Sequence, residues 1–329
     1  MRVIFDVMEL LLWAAVFIIS LFVLVRGADL FLENAERIGI FFGLPSFVIG
    51  VLIVGVGTSL PELSSAIVAV LRGATEIVSG NAIGSNITNI LLIGGVLAVL
   101  SRRLTITKDL IDAELPFFVI STALFIGVAA DGEISVIESV LLTGTYGVYL
   151  YYLFTEEPEA IDVVVAEKQE QVHKHKILGI KLPEMSVVLF ALIGLIGIVA
   201  GAKYLVDSVI ELAHMLHVSP GLISMTAIAL GTSLPELSVS IRALQKGKLD
   251  VAIGNIFGSN AFNVLMAVGI PGLMGTILLD DLTFSVGLPV LGISSFILLI
   301  IGLARKLYRW EGLMFLILYL FFILKLMGV

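Results

Sequence analysis

Two glutamates, Glu62 and Glu236, close the same six-residue phrase, Gly-Thr-Ser-Leu-Pro-Glu, at residues 57–62 and 231–236. Each lies in a stretch apolar enough to cross a bilayer. An ionisable side chain there costs roughly 3 kcal/mol even on lenient scales and marks function by default. The bland alternative is a protonated glutamate hydrogen-bonded in a helix contact, but it would have to arise twice at matching positions. Pro61 and Pro235 stand one residue earlier. A proline ring has no N–H and displaces the carbonyl four residues back. A kink is therefore expected, with carbonyls from Gly55 to Thr58 and from Ala229 to Thr232 losing their donors. Bare backbone at membrane depth is tolerated only where protein or a hydrated cavity satisfies it, and a cation would do so.

A second set of polar residues follows each glutamate. Asn81, Ser85 and Asn89 recur every four residues, as do Asn255, Ser259 and Asn263, so each trio forms one stripe on a helix. Gly80 with Gly84, and Gly254 with Gly258, offer small faces for close helix packing. Asn86 and Asn260 lie off the stripe, where interhelical hydrogen bonding is as good a reading as ion contact. Ser85, Asn89, Ser259 and Asn263 can face the carboxylates and read as ligands. The donor set is therefore carboxylate, hydroxyl, amide and main-chain oxygen. These are hard donors. The chain has no cysteine, and its four histidines (173, 175, 214 and 217) stand apart from them. They read as solvated or interfacial, so zinc and copper are not suited. Calcium accepts about six to eight oxygens in a flexible shell, whereas magnesium demands a strict octahedron. Two carboxylates neutralise one Ca²⁺, and several Na⁺ could share the same oxygens.

The elements that must hold these residues are duplicated too. Residues 57–89 and 231–263, 174 positions apart, share 17 of 33 residues without a gap, and the same shift aligns Gly27-Ala28 with Gly201-Ala202. The chain of 329 residues is 59% apolar and 14% charged, where a soluble domain carries about 25% charged residues. A net charge of −8 argues against a nucleic-acid partner. The absence of cysteine excludes disulfides and iron–sulfur clusters. The uncharged run from Leu10 to Val25 is followed by no small-residue cleavage pattern and reads as a spanning helix rather than a signal peptide. Ten helices are predicted near residues 8–34, 46–71, 76–100, 113–131, 134–154, 186–213, 219–244, 249–273, 283–303 and 310–327. The long polar stretch 155–184 reads as a linker between halves 1–154 and 185–329. Each half has an odd number of helices, so the second must be upside down relative to the first, the plan of many secondary transporters. The fold class is thus an all-α membrane protein of ten transmembrane helices in two inverted five-helix repeats. Loops after odd-numbered helices carry fourteen Lys and Arg, and those after even-numbered helices carry only Arg72. The positive-inside rule then places the linker in the cytoplasm and both termini outside the cell membrane.

The duplicated G-T-S-L-P-E and G-N-x-x-G-S-N segments resemble the alpha-repeats of the sodium/calcium exchanger family, within the cation/calcium antiporter superfamily, and above all its short prokaryotic members. The resemblance implies a secondary active antiporter, not an enzyme, that needs no cofactor and works as a single chain in the lipid bilayer. It would exchange several Na⁺ for one Ca²⁺ by alternating access, the two Gly-bearing long helices sliding across a compact core. By motif, Glu62 and Glu236 would bridge Ca²⁺ with the carbonyls of Thr58 and Thr232. Sodium positions would use Ser59 and Ser85 on one side, and Ser233, Ser259 and the Ala229 carbonyl on the other, with the Gly55 carbonyl equivalent to that of Ala229. Asn89 and Asn263 would line the middle. Some relatives, including potassium-dependent exchangers, carry Asp where this chain has Asn263, which argues against potassium co-transport. The proton/calcium branch carries a different G-N-x-x-E motif, so proton coupling is the lesser reading. A calcium channel using the acidic pair as a selectivity site, or an intramembrane hydrolase using paired acids, is a rival from another class. An inverted repeat suits alternation better than a pore, and no nucleophile–base pair stands out.

Overall fold

The computed structural model describes residues 2–41, 57–101, 103–105, 108–156, 175–177, 180–182, 184–247 and 249–328. Most of the predicted linker, including His173, and the first part of the predicted second helix, including Gly55, lie outside the described residues.

The chain opens with α1 (Arg2–Phe41). Next come α2 (Leu60–Leu71), α3 (Glu76–Ser101), β1 (Arg103–Thr105), α4 (Lys108–Val128), β2 (Glu133–Ile134) and α5 (Val136–Glu156). A small hairpin, β3 (His175–Ile177) with β4 (Ile180–Leu182), stands within the linker. The second half runs through α6 (Met185–Leu216), α7 (Pro220–Gln245), which is broken at Ser233, and α8. The last begins as Leu249–Phe262 and ends as Gly269–Gly272. It continues through β5 (Ile277–Leu278), α9 (Thr283–Ala304), β6 (Lys306–Tyr308) and α10 (Arg309–Leu326).

Six helical runs are long and apolar enough to cross a membrane: Val7–Gly39, Glu76–Ser101, Met185–Leu216, Pro220–Gln245, Val251–Gly272 and Thr283–Ala304. Among the described residues this is fewer than the ten predicted. Of the predicted second helix only the part from residue 57 onward is described, with α2 at Leu60–Leu71, and α4 offers the shorter apolar stretch Glu114–Val128. In α5 the apolar pattern is diluted by four tyrosines, and α10 has 18 residues with three charges among them.

Burial sorts the helices into core and flank. Every residue of α3 from Ile77 to Ile87 is buried, and its repeat counterpart α8 is nearly as enclosed, whereas little of α1 is buried. The flank is the pair α1 and α6, which pack against each other more extensively than any other two elements. Glycine makes that approach possible. A Cβ on Gly27 would meet the Ile198 nitrogen at 2.8 Å, and one on Gly201 would meet the Leu24 nitrogen at 2.6 Å. These are the same contact seen twice, since Gly27 and Gly201, and Leu24 and Ile198, are equivalent under the 174-residue shift.

The small ribbons show the same exchange. Strand β1 pairs antiparallel with β6, Arg103 opposite Tyr308, and β2 with β5, Ile134 opposite Ile277. Adding or subtracting 174 converts one pairing into the other. The ribbons flank the two ends of α4, a 21-residue helix about 32 Å long at 1.5 Å per residue.

Candidate functional site

The repeated Gly-Thr-Ser-Leu-Pro-Glu phrase folds the same way in both halves. Helices restart at Leu60 and Leu234, each with a proline in the first turn, where its missing N–H is an orphan anyway. Ser59 (φ −92°, ψ 11°) and Ser233 (φ −80°, ψ 1°) are the non-helical joints. The expected kink is therefore a break and a fresh start. That places Glu62 and Glu236 in the first turn of a new helix, the end that favours negative charge. The carbonyl expectation is corrected in part. Gly57 still accepts from the Leu60 N–H at 3.3 Å, and Ala229 from the Ser233 N–H at 3.2 Å, because the chain turns tightly at the joint. Alpha-helix gives way to a wider π turn at Thr88–Ile93 in α3 and at Asn263–Ala267 in α8. These turns hold Asn89 and Asn263 and pack against the helices that carry Glu236 and Glu62 respectively.

The two halves meet at the carboxylates. Ser59 Oγ donates to Glu236 Oε1 at 3.3 Å. Thr58 and Ser59 lie against the Glu236 carboxylate, Thr232 lies against that of Glu62, and the two carboxylates are within electrostatic reach of each other. Both glutamates are 1% exposed, and no ion pair among the described residues involves either. Ser59, Ser85, Asn89, Ala229, Thr232, Ser233, Ser259 and Asn263 are all buried. Oxygens without a hydrogen-bond partner recur among these residues: both of Glu62, Oε2 of Glu236, Thr58 Oγ1, Ser233 Oγ, Ser259 Oγ, and the amide oxygens of Asn89 and Asn263. A buried polar atom left unpaired costs about 1–3 kcal/mol, so an orphan cluster of this size calls for a cation. Among the described residues no three His, Asp or Glu come together. The set is thus hard oxygen with two formal charges, which fits Ca²⁺ or Na⁺.

The first member of each predicted stripe has a different job. Asn81 Nδ2 donates to Ser65 Oγ at 3.4 Å, and Asn255 Nδ2 donates to Ser240 Oγ at 3.1 Å and to the Glu236 carbonyl at 3.3 Å. They tie each stripe helix to the glutamate helix. Gly80 does what its small face predicts: a Cβ there would meet the Gly221 carbonyl at 2.6 Å. The matching contact for Gly254 falls at position 47, outside the described residues.

One acidic residue escaped the sequence reading. Asp29 on α1 lines a cavity of about 630 Å³ with Glu33, Thr58, Pro235 and Arg242, and Arg26 faces it at 3.6 Å. The cavity therefore runs from the charged ends of α1 and α7 to the joint beside Glu236. The signal was present, since Asp29 falls inside a predicted span, where an ionisable residue warrants a functional reading.

Known proteins give a consistent picture. The family model described as sodium/calcium exchanger protein matches residues 12–155 and 186–328. The uncharacterized membrane protein MJ0091 of Methanocaldococcus jannaschii is 34% identical over 321 residues, covering 96% of this chain and 99% of its own. The sodium/calcium exchanger MaX1 of Methanosarcina acetivorans is 31% identical over 342 residues, covering 94% of this chain and 97% of its own. A solved structure of the sodium-calcium exchanger NCX_Mj, soaked with Na⁺ and Sr²⁺, superposes with a TM-score of 0.59 at 30% identity, covering 95% of this chain and 97% of that one.

Proposed function

The chain belongs to the sodium/calcium exchanger family, and from that premise we propose that it exchanges Na⁺ for Ca²⁺ across the cell membrane by alternating access. It is a multi-pass membrane protein of an exchanger family, not of a catalytic one. The observation that carries the reading is the buried oxygen cluster, where the two repeats approach through Ser59 and Glu236 and most oxygens have no protein partner. Glu62 and Glu236 would hold Ca²⁺ between them with the Thr58 and Thr232 carbonyls. Na⁺ would use Ser59 and Ser85 on one side and Ser233, Ser259 and the Ala229 carbonyl on the other, with the Gly55 carbonyl as its equivalent, and Asn89 and Asn263 between them.

The site explains obligatory exchange. Two carboxylates buried together without a basic partner make the charged, cation-free form costly to move through low dielectric. Loading with one Ca²⁺ or several Na⁺ removes that cost. The reciprocal ribbons at the two ends of α4 support inverted halves, 1–154 and 185–329. To these we add ten crossings from the spacing of apolar segments, and a cytoplasmic linker at 155–184 with both termini outside from the Lys and Arg count. The cavity reaches the site from the end of α7 that carries Arg242 and Lys246. By the positive-inside rule that end would be cytoplasmic, and the conformation would then be open inward.

The test is Ca²⁺ uptake by the purified protein in proteoliposomes under imposed Na⁺, K⁺ or proton gradients. Uptake should follow the outward Na⁺ gradient, without K⁺. Equal uptake with no opposing gradient would indicate a channel, and uptake driven only by a proton gradient would move the chain to proton coupling.

A further inference from the structure

The two repeats have identical residues at the centre but do not use them identically. Asn86 and Asn260 are equivalent, as are Asn89 and Asn263, and all four are buried. Asn86 Nδ2 donates to the main-chain carbonyl of Asn260 at 2.9 Å. A carbonyl only accepts, so this limb of the Asn86 amide must be the NH₂ and its oxygen must point the other way. There Asn263 Nδ2 donates to Asn86 Oδ1 at 3.2 Å. An oxygen only accepts, so Asn263 must turn its own NH₂ toward Asn86. Its Oδ1, on the opposite limb, is buried and accepts no hydrogen bond. The orientation of Asn263 is thus fixed through two forced steps by a peptide carbonyl of its own helix. Nothing equivalent holds Asn89. Asn260 donates to the Ile256 carbonyl of its own helix at 2.6 Å, and both limbs of the Asn89 amide are without a partner.

We propose that Asn86 is a positioning residue that locks the Asn263 amide with its oxygen turned to the cation site, while Asn89 stays free to turn. The centre then presents one fixed and one adjustable amide oxygen. The fixed one serves every bound cation from the same place, and the adjustable one follows the change in ion size and number as Na⁺ replaces Ca²⁺. The lock is specific for an amide at 263. A carboxylate there has no hydrogen to give Asn86 Oδ1, so Asn86 would have to turn and release Asn260. This rests on the cation-site reading above, and its test separates the two.

The experiment is a double-mutant cycle on the full chain: unmodified, Asn86→Leu, Asn263→Ala and the double variant. It is read in two ways, as thermal melting in Ca²⁺-free detergent and as the KM for Ca²⁺ in Na⁺-driven uptake. Melting should show coupling, with Asn86→Leu lowering the midpoint less when Asn263 is already Ala. In uptake, Asn86→Leu should raise the Ca²⁺ KM roughly three- to tenfold, the range of one neutral hydrogen bond, and change it less than about twofold in the Asn263→Ala background. Additive melting would overturn the lock, whether or not the protein is an exchanger. Coupled melting with an equal KM change in both backgrounds would show that Asn86 supports packing and does not orient a ligand, which overturns the proposal as well. A protein that melts with coupling but transports Ca²⁺ under no gradient keeps the lock and refutes the cation-site reading.

Discussion

At the residue scale, the site is a set of oxygens with little else to bond. Glu62 and Glu236 supply its carboxylates, and each is fully enclosed. Changing either to Ala should therefore abolish Ca²⁺ transport while insertion and folding persist, checked by size-exclusion profile alongside uptake. The sequence singled out both carboxylates, because one repeated inside apolar segments is too costly to persist without a task, and both are buried. What it could not show is asymmetry. Ser59 is bonded to Glu236 while Ser233 is not bonded, and Ser85 donates to Asn81 Oδ1 at 3.3 Å while Ser259 has no partner. Residues identical in type and spacing carry no sign of which copy is engaged. This matters for Asn263. Repeat symmetry alone makes Asn263→Asp and Asn89→Asp equivalent, each adding a charge that either takes up a proton or recruits another cation. The hydrogen bond to Asn86 makes them unequal. Asn263→Asp should lose more transport at neutral pH than Asn89→Asp, and should gain the stronger dependence on pH or K⁺, measured as Na⁺-driven uptake across a pH series with and without K⁺. Equal profiles would remove the asymmetry.

At the element scale, the proposed exchange would turn on two features: the glycine seam between α1 and α6, and the way each long helix meets the core. A Cβ on Gly27 or Gly201 would press on the opposite backbone below 3.0 Å, and such overpacking costs about 1–3 kcal/mol. Gly201→Ala should lower the melting midpoint and slow exchange, whereas Gly147→Ala on an exposed face of α5, where a Cβ meets nothing within 4 Å, should do neither. Arg72, at the end of α2, holds Asp207 of α6 through two contacts of 2.9 Å. The equivalent positions are Lys246 and Glu33, and they form no pair; Glu33 bonds Arg37 instead. One face is clasped, and the cavity opens at the other. Alternation predicts that the clasps trade places. Cysteines at 33 and 246 should be captured by a short bis-maleimide during turnover with Na⁺ and Ca²⁺, a background made clean by the lack of native cysteine. Failure to capture them while transport runs would contradict the exchange of clasps. A kink was legible from Pro61 and Pro235, but not that each helix would break and restart after Ser59 and Ser233. The π turns at Asn89 and Asn263 were not, since a one-residue widening of a helix leaves no mark on apolar spacing.

At the scale of the whole molecule, one relation organises the chain, the exchange of residue i with residue i + 174. It appears in the Gly27 and Gly201 contacts, in the paired ribbons and in the two carboxylates. The repeat made this legible before any coordinates, whereas the number of crossings was harder, because α4, α5 and α10 dilute their apolar character with acids, tyrosines and terminal charges. Orientation follows only from the distribution of Lys and Arg. A cysteine replacing His173 should accordingly be labelled by an impermeant maleimide only after intact cells are opened, and labelling from outside would reverse the topology. Exchange, as proposed, depends on the paired glutamates holding Ca²⁺ and Na⁺ in turn. The most direct measurement is uptake of radiolabelled Ca²⁺ into proteoliposomes loaded with Na⁺, for the unmodified protein and for Glu236→Ala. Uptake should rise with the outward Na⁺ gradient, need no K⁺ and vanish in Glu236→Ala. Uptake that ignores the Na⁺ gradient, or that survives in Glu236→Ala, would contradict a site in which the two ions take turns on the same carboxylates.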